Sequence, residues 1–375
     1  MIEVLNEHLE YLSLPGRSET YKAAISQAVS QGDLVADLGC GVGVLGIFCL
    51  EAGAAEVWGI DSSDAIHLAQ EVVQKADLCG VYHCIADSTF RAALPQPVDL
   101  IICDHIGFFG FDYGIIELLR DARQRLLKPG GIVIPQAIDL MVAGVFSDAC
   151  RDRVTAWQGD QIPPEFRWLD EYQRNSKHHH NFLSDELVSQ PAPLGHIDLE
   201  ADDQQLFVFK TNLIAERTGR FDGIAGWFDC LLYGDIRMTN SPVDDASIKR
   251  PQAFLPVATP FDVEAGDVIA IAIRFQSDGS MIAWDIKPPN SAPTQKLSTW
   301  KGTILTPADL VNKTATPLRL SGRGEAETFI LSLIDGQRTA EDITAIVLSQ
   351  RPAMFPSQQA IRDFVRDELA RACKT

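Results

Sequence analysis

A short apolar run that passes directly into a glycine-rich turn is the feature that most constrains the fold. The segment spans residues 35–46 and reads VADLGCGVGVLG. Its glycines lack a Cβ atom where the backbone must approach a ligand closely, and the helix that follows presents a positive N-terminal end. The pattern predicts a strand, a nucleotide-binding turn and a helix.

Two nucleotide ligands are compatible with this turn. The spacing Gly41-x-Gly43-x-x-Gly46 matches the dinucleotide fingerprint, and Asp61 stands 20 residues after Gly41, where a ribose-binding acid is expected. Asp37, however, precedes the glycines. A carboxylate there repels a pyrophosphate but attracts the cationic amino-acid end of S-adenosylmethionine. The wider pattern favours the methyl donor over NAD. A Rossmann-like fold with a decayed site is the remaining alternative.

Acidic residues follow three successive predicted strands. Asp37 follows the first, Asp61 ends the second and Asp87 follows the third. Because the carboxyl ends of parallel strands share one edge of a sheet, we expect Asp61 near the ribose hydroxyls and Asp87 near the adenine amino group. The donor-binding residues predicted from this part of the chain are Asp37, Gly39, Gly41, Gly43, Asp61, Ser62 and Asp87.

The order of apolar runs and helical stretches predicts an α/β region followed by a β region. From residue 33 to about 136 short strands alternate with helices, which predicts a parallel sheet covered on both faces. From about 137 to 288 turn-separated strands predict an antiparallel β domain, with a more charged insertion at 151–185. Residues 288–297 read as a Pro-rich linker, and the chain is helical again beyond 322.

Charge and composition exclude several function classes. The chain has 32 basic and 51 acidic residues, a net charge of −19, so we expect no nucleic-acid partner. Apolar runs fall far short of the roughly 18 residues of a membrane helix, and the N-terminus does not read as a signal peptide. The eight cysteines show no metal-ligand spacing, and His178-His179-His180 reads as a solvated loop. We expect a cytoplasmic protein without a metal or a membrane segment.

Several segments resemble the protein arginine methyltransferases. Before the first strand the chain has His8-x-x-Tyr11-Leu12 and then Arg17-x-x-x-Tyr21, as that family does. The further matching segments are residues 45–48, 52–54, 57–61, 126–131 and 134–135, with 238–242 and 261–267 similar to hairpins of the family's β-barrel. The resemblance implies an S-adenosylmethionine-dependent methyltransferase in which Arg17 grips the carboxylate of the donor.

The resemblance also implies a domain plan. Residues 1–136 would form the Rossmann-like donor domain with its N-terminal helices, and residues 137–288 an antiparallel β-barrel acceptor domain. Independently of the resemblance, the helical pattern after the linker predicts a small C-terminal helical module at residues 298–375. In the family an arm at the place of the 151–185 insertion pairs two subunits, so we expect a homodimer. The aromatic residues expected at its contact are Trp157, Phe166 and Trp168.

The loop after the fourth strand departs from the family. Where the family has two Glu nine residues apart, this chain has Asp104 and Tyr113, with Asp112 one residue early. Two carboxylates can hold a guanidinium and aim one nitrogen at the methyl group, but the shorter Asp pair requires a loop shift. A solvated turn acid is the alternative for Asp112. The family's Thr-His-Trp loop aligns with residues 247–249, so we expect Lys249 to repel a cationic acceptor.

The predicted catalytic residues are Asp104, Asp112 and His105. Asp104 is expected to orient the acceptor without affecting donor binding. His105 is interpreted as a general base or as a donor to a loop carbonyl. The aromatic residues of this loop, Phe108 and Phe109 above all, are expected to pack against the donor.

The C-terminal segment, residues 323–375, lies outside the methyltransferase pattern. It reads as helices, with Thr339-x-x-Asp342 as a capping box at the start of one of them. The segment resembles the helical half of the small peptide-binding proteins of pyrroloquinoline quinone biosynthesis, which present a precursor peptide to a modifying enzyme. A helical cap over the barrel is the alternative.

Together these features predict a methyltransferase that modifies a side chain, arginine or another nitrogen nucleophile, in a peptide or protein. The C-terminal resemblance makes a ribosomal precursor peptide one candidate substrate. A small-molecule N- or O-methyltransferase on the same scaffold is one alternative. A catalytically inactive donor-binding partner that regulates another enzyme is the other.

Overall fold

The computed structural model describes residues 2–290, 292–306, 309 and 317–373. The chain divides into two compact units, Met1–Thr303 and Ile304–Thr375. The boundaries predicted at residues 136 and 298 stay predictions. Within the described residues, no helix is long and apolar enough to cross a membrane.

A five-stranded parallel sheet with helices forms the first part of the larger unit, in the strand order β3-β2-β1-β4-β5. Its elements are α1 (Ile2–Ser13), α2 (Arg17–Ala28), β1 (Leu34–Leu38), α3 (Val44–Ala52), β2 (Glu56–Asp61), α4 (Ala65–Lys75), β3 (Tyr82–Ala86), β4 (Val98–Cys103), α5 (Ile115–Arg125) and β5 (Leu127–Ile134). The strands β1, β2 and β4 are buried and rich in Val, Ile and Leu, as parallel strands covered on both faces must be. The predicted Rossmann-like sheet is confirmed.

Two antiparallel sheets form the second part of this unit. Its elements are β6 (Ala137–Val145), α6 (Asp148–Val154), α7 (Asp170–Arg174), β7 (His178–His180), β8 (Ala192–Asp198), β9 (Leu206–Ile214), β10 (Gly219–Tyr233), β11 (Ile236–Thr239), β12 (Gln252–Val263), β13 (Val268–Gln276), β14 (Ile282–Lys287) and β15 (Gln295–Ser298). One sheet has the order β7-β12-β10-β6-β8 with β11 on β10, and the other has the order β15-β14-β13-β9. The predicted antiparallel β domain is confirmed.

Two segments differ from their sequence-based descriptions. The end of the expected linker, Gln295–Ser298, is a strand that pairs with β14. The three histidines form β7 and pair with β12 rather than lying in a solvated loop. In both cases backbone pairing with a distant strand overrides the local sequence preference.

The loop between β4 and α5, residues 104–114, is fixed by aromatic packing against the β domain. Phe109 and Phe111 are fully buried, and the ring of Phe111 stacks on Phe275 of β13 with a centroid separation of 3.6 Å. Phe109 lies against Gly226 of β10, where any Cβ atom would meet its ring. The expectation that Phe109 packs against the donor is wrong, because its ring is fully buried against the β domain.

The described part of the smaller unit contains three helices with a core of their own. It contains α8 (Gly322–Leu331), α9 (Ala340–Gln350) and α10 (Gln358–Ala372). Ile330, Val347, Ile361 and Val365 are buried between these helices. The predicted capping box is confirmed, because Thr339 and Asp342 exchange side-chain to backbone hydrogen bonds at the start of α9.

Gly46 tests how closely α3 packs on the sheet. A Cβ atom there would lie 2.6 Å from Tyr82 and 2.7 Å from Val57. An additional methyl group in this packed position destabilises the fold by about 1–3 kcal/mol, whereas the higher helix propensity of Ala stabilises it by about 1 kcal/mol. We therefore expect Gly46→Ala to lower the free energy of unfolding. Gly80→Ala is the matched control, because no atom lies within 4 Å of the new methyl group. Denaturant unfolding measures both; equal stability of the two variants would contradict this packing.

Candidate active site at the carboxyl edge of the parallel sheet

A cavity of about 570 Å³ opens where β1, β2 and β4 end. In parallel α/β sheets this edge is where ligands bind, because loops from neighbouring strands converge there. The cavity is lined by residues of α1 and α2, of the glycine turn, of the β2, β3 and β4 ends and of the start of α5. Its polar and aromatic lining residues include His8, Tyr11, Arg17, Asp37, Asp61, Ser62, Ser63, Ser88, Thr89, Phe90, Asp104, His105, Tyr113 and Glu117.

The glycine turn leaves room for two histidines at the cavity wall. Gly39 and Gly41 have φ angles of 65° and 54°, in the left-handed region that favours glycine. A Cβ atom on Gly39 would collide with the imidazole of His105, and one on Gly41 would collide with His8. Gly43 has a φ of 89° and directly precedes α3. Gly39 and Gly41 therefore shape this cavity, because a side chain at either position would displace the imidazole that lies against it.

Asp37 is a buried carboxylate with one oxygen unpartnered. Its side chain is 1% exposed, and Oδ2 accepts a hydrogen bond from the backbone N–H of Gly46 at 2.9 Å. Oδ1 is buried and has no hydrogen-bond partner among the described residues. Burial raises the pKa of Asp37 to about 7, although the Gly46 N–H and Tyr82 act in the opposite direction. An unpaired buried oxygen of this kind is costly unless a ligand satisfies it.

Arg17 and Asp104 form a buried ion pair at the opposite wall. The Nε of Arg17 donates to Asp104 Oδ2 at 2.7 Å, and its Nη2 pairs with the same oxygen. The hydroxyl of Tyr21 donates to Asp104 Oδ1 at 2.9 Å. Burial opposes the charge of Arg17, but Asp104, Tyr21 and Tyr11 together outweigh it, and the pKa of the guanidinium is raised. The remaining Nη1 is buried without a partner in the described part of the chain.

These two unpartnered atoms fit the amino-acid end of S-adenosylmethionine. That group carries one ammonium, which needs an acceptor, and one carboxylate, which needs a donor. Asp37 Oδ1 is an orphan acceptor and Arg17 Nη1 an orphan donor at the same cavity. The cavity thus offers a negative group for the ammonium of the donor and a positive group for its carboxylate. This arrangement supports S-adenosylmethionine as the donor, with Asp37 holding its ammonium and Arg17 its carboxylate.

The predicted nucleoside-binding acids occupy different positions. Asp61 lines the cavity together with Ser62; it accepts from the N–H of Gly41 at 2.9 Å and from the N–H and hydroxyl of Ser63, each at 2.7 Å. Asp87 lies beside the cavity rather than among its lining residues, and Arg91 donates to it at 2.6 Å. This bond lowers the pKa of Asp87. Their roles toward the ribose and the adenine stay predictions.

Asp112 does not face the cavity. Its Oδ1 accepts from the backbone N–H of Phe109 at 2.8 Å, and Oδ2 pairs with Lys177. Its side chain is almost completely buried, so the alternative of a solvated turn acid is wrong. A carboxylate with a buried ammonium and a backbone donor braces the loop in this structure, and a shift of the loop would have to break both contacts.

His105 lines the cavity next to Asp104. Burial lowers the pKa of its imidazole, with Asp104 and Asp61 acting in the opposite direction. The ring therefore carries no charge near neutral pH. Such a ring can accept a proton from a group bound in the cavity.

A buried cation packed against this loop has no clear signal in the sequence. Lys249, which is expected from the sequence to repel a cationic acceptor, is exposed and lies near the Ser247 hydroxyl. Arg250, one residue later, is 4% exposed and packs over the rings of Tyr11, Phe108 and Tyr113. The two neighbouring cations differ in exposure, and the sequence alone does not distinguish them. No group of three or more His, Cys, Asp or Glu in the described chain could hold a metal ion.

Comparison with known families supports the ligand suggested by the geometry. Residues 35–131, which contain the glycine turn and β1 to β4, match the methyltransferase domain family. The chain carries an S-adenosylmethionine-dependent methyltransferase domain. Its donor is therefore S-adenosylmethionine, as the two orphan atoms indicate.

The curated relatives of this methyltransferase are named as protein arginine methyltransferases. A probable protein arginine N-methyltransferase 6.2 of Oryza sativa subsp. indica is 27% identical over 61% of this chain and 60% of its own length. A probable protein arginine N-methyltransferase 6 of Arabidopsis thaliana is 35% identical over 37% of this chain and 32% of its length. Protein arginine N-methyltransferase 6 of Xenopus laevis is 31% identical over 40% and 45%. The chain thus spans 60% or less of these relatives.

Solved structures share the fold of the larger part of the methyltransferase chain. The Trypanosoma brucei PRMT1 enzyme-prozyme heterotetrameric complex with AdoHcy matches with a TM-score of 0.69 and 20% identity, over 78% of this chain and 97% of that one. The protein arginine methyltransferase 10 of Arabidopsis thaliana, in an open conformation, matches with a TM-score of 0.66 and 20% identity, over 79% and 98%. The architecture of a parallel sheet followed by antiparallel sheets is therefore that of the protein arginine methyltransferases.

The raised pKa of Asp37 makes donor binding depend on pH. Ionised Asp37 attracts the ammonium group of S-adenosylmethionine and protonated Asp37 does not, so affinity falls as the pH drops through the pKa of about 7. We expect the dissociation constant to rise roughly 20-fold between about pH 7.5 and pH 5.5. Asp37→Asn should bind more weakly at pH 7.5 and show little pH dependence. Titration calorimetry across this range checks both; a wild-type affinity that is flat with pH would contradict the assignment.

Proposed function

We propose that the chain transfers the methyl group of S-adenosylmethionine to a side-chain nitrogen, of arginine or another nitrogen nucleophile, in a peptide or protein. The observation that carries the proposal is the buried set of Asp37, Arg17 and Asp104 at one cavity. Asp37 and Arg17 each keep one atom for the donor, and Asp104 links this donor site to the loop that faces the acceptor. The curated relatives, named for arginine N-methylation, support the nitrogen acceptor.

The residues of the chain have separate tasks in this proposal. When bound, S-adenosylmethionine supplies a methyl group on a positively charged sulfur. Asp37 and Arg17 fix the amino-acid end of the donor, and Asp61 and Ser62 lie where its ribose would be held. Asp104 fixes Arg17 and stands at the start of the loop that faces the acceptor in this proposal. His105, uncharged near neutral pH, accepts the proton that a nitrogen must lose.

The C-terminal unit extends the proposal to the substrate. Its described part has three helices, a capping box and a core of its own, which is compatible with a separate docking module. We infer a peptide substrate, with a ribosomal precursor peptide as the specific candidate. If the whole chain methylates peptides but does not methylate small amines, the result would support a peptide substrate over the small-molecule alternative.

A specific observation favours a second candidate, a donor-binding partner without turnover. Both predicted acceptor acids are already ion-paired, Asp104 with Arg17 and Asp112 with Lys177. The Trypanosoma brucei relative was solved as an enzyme-prozyme complex, so such pairings of related chains exist. Donor binding without methyl transfer to any peptide would support this candidate.

Asp104→Asn tests the proposed active site. The substitution keeps the size and removes the charge that holds Arg17. In contrast to the expectation from the sequence that Asp104 leaves donor binding unaffected, we expect donor binding to weaken by about 1.5–3 kcal/mol. Turnover on peptides with methyl-labelled donor should fall by about 100-fold or more. Calorimetry and mass spectrometry of the peptides measure the two effects. Asp121→Asn is the matched control, since it removes a carboxylate from a surface pair with Arg125. Full activity of Asp104→Asn would refute the cationic-acceptor proposal.

The inserted arm is proposed to pair two copies of the chain. Phe166 and Trp168 of this arm are 51% and 59% exposed, so their apolar surface is available for burial. We expect the wild-type protein to sediment as a dimer at micromolar concentration and Trp168→Glu to sediment as a monomer. Trp300→Glu, which changes a tryptophan that is 68% exposed and outside the arm, should leave the dimer intact. A fully active wild-type monomer would contradict the proposed homodimer.

A further inference from the structure

Beside the donor cavity, three aromatic side chains enclose a buried guanidinium. The Cζ of Arg250 lies 5.3, 5.3 and 5.6 Å from the ring centroids of Tyr11, Phe108 and Tyr113. The rings of Tyr11 and Tyr113 line the donor cavity, whereas Arg250 is not among its lining residues. The guanidinium therefore lies one side chain behind the cavity wall.

Arg250 keeps a hydrogen-bond donor that nothing in the described part of the chain satisfies. Its Nη2 donates to the hydroxyl of Tyr11 at 3.3 Å, a long bond. Its Nη1 is buried and has no acceptor within the described ranges. Aromatic faces compensate part of the charge of a buried guanidinium, but they offer no lone pair to its N–H groups. The position is complementary to an oxygen anion that the described chain does not provide.

Both carboxylates of the β4–α5 loop are already paired with other cations. Asp112 pairs with Lys177 and accepts from the N–H of Phe109, and Asp104 pairs with Arg17. Among the described residues, no carboxylate forms an ion pair with Arg250. An acid brought by a ligand is therefore the remaining partner for its orphan donor.

A second cation packs against the same aromatic rings but is already neutralised. Lys177 Nζ lies 5.8 Å from the Phe108 ring centroid and 5.7 Å from that of Tyr113, and it pairs with Asp112. His179 stacks on Phe108 with a centroid separation of 5.1 Å. Arg250 therefore carries the charge of this cluster that no carboxylate in the described chain compensates. In a chain of net charge −19, a bound anion would be attracted to this position and repelled by most of the remaining surface.

We propose that Arg250 binds a carboxylate of the acceptor molecule next to the nitrogen that receives the methyl group. The inference rests on the proposed function and specifies its substrate class: a peptide with an acidic group beside the modified residue. A carboxylate that displaces one of the two cavity-lining tyrosine rings meets Nη1 directly and forms a charge-assisted hydrogen bond. Arg250 is thus a specificity-determining residue on the acceptor side.

Two matched peptide sets test this site. Both carry one central Arg, Lys or His and an amidated C-terminus; the first has Asp and Glu at the flanking positions, and the second has Asn and Gln. We expect wild-type kcat/KM to be at least about tenfold higher on the acidic set, which corresponds to one hydrogen bond to a charged group. A third set, with amide flanks and a free C-terminal carboxylate beside the acceptor, distinguishes a terminal from a side-chain acid.

Substitutions of Arg250 separate recognition from folding. Arg250→Met should lower kcat/KM on the acidic set to the value for the amide set and leave the affinity for S-adenosylmethionine unchanged. Arg250→Lys should retain part of the preference. Lys249→Met, which removes the neighbouring exposed cation, should retain all of it. Equal wild-type rates on both sets, or an equal loss on both sets in Arg250→Met, would overturn the proposal.

A binding measurement keeps this inference separate from the proposed function. If no peptide is methylated, the proposed function fails, and fluorescence polarisation with labelled peptides and S-adenosylhomocysteine decides the carboxylate site alone. Tighter binding of the acidic set that is lost in Arg250→Met would support the site. Equal binding of both sets would refute it.

Discussion

The ion pair between Arg17 and Asp104 is the contact on which the rest of the site depends. Arg17 begins α2, and Asp104 follows β4, so the pair joins the N-terminal helices to the carboxyl edge of the sheet. Both side chains are nearly buried, and breaking one partner of such a pair leaves an uncompensated charge. Tyr21, one turn along α2, satisfies the second oxygen of Asp104. The donor cavity is therefore closed on this side by electrostatics rather than by apolar packing.

The division of labour between the carboxylates follows from what each one touches. Asp37 and Asp61 line the cavity, and Asp104 holds Arg17 at its wall. Asp112 looks similar in the sequence, but Lys177 and a backbone N–H hold it away from the cavity. Three aspartates therefore differ in role because the fold gives them different partners. Asp37 is available to a ligand, Asp104 positions Arg17, and Asp112 stabilises the loop.

The sequence predicts the donor half of the molecule well because its determinants are local. The glycine turn, the apolar strand before it and the positions of Asp37 and Asp61 are all set within a few residues of backbone. The acceptor half depends on contacts between distant segments, such as Lys177 with Asp112 and Arg250 with Tyr11. No pattern within a short window reveals such pairs.

Strand pairing limits the prediction of the β domain in a similar way. The sequence predicts the antiparallel character of this region correctly, because alternation and turns are visible in it. It does not predict the short strands β7 and β15, because His178–His180 and Gln295–Ser298 have little strand propensity. These segments are strands because they pair with β12 and β14. Their backbone groups are satisfied by partners that are far away in the chain.

The aromatic anchoring of the β4–α5 loop has a consequence for how activity maps onto the sequence. Phe111 rests on Phe275, and Phe109 rests on Gly226, so the loop that carries Asp104 and His105 takes its shape from the β domain. Genetic screens that score only loss of activity would thus recover positions in β10 and β13 together with those of the cavity. The set of positions that such a screen identifies as essential would therefore follow the packing of the phenylalanine rings and would extend beyond the residues that contact the ligands.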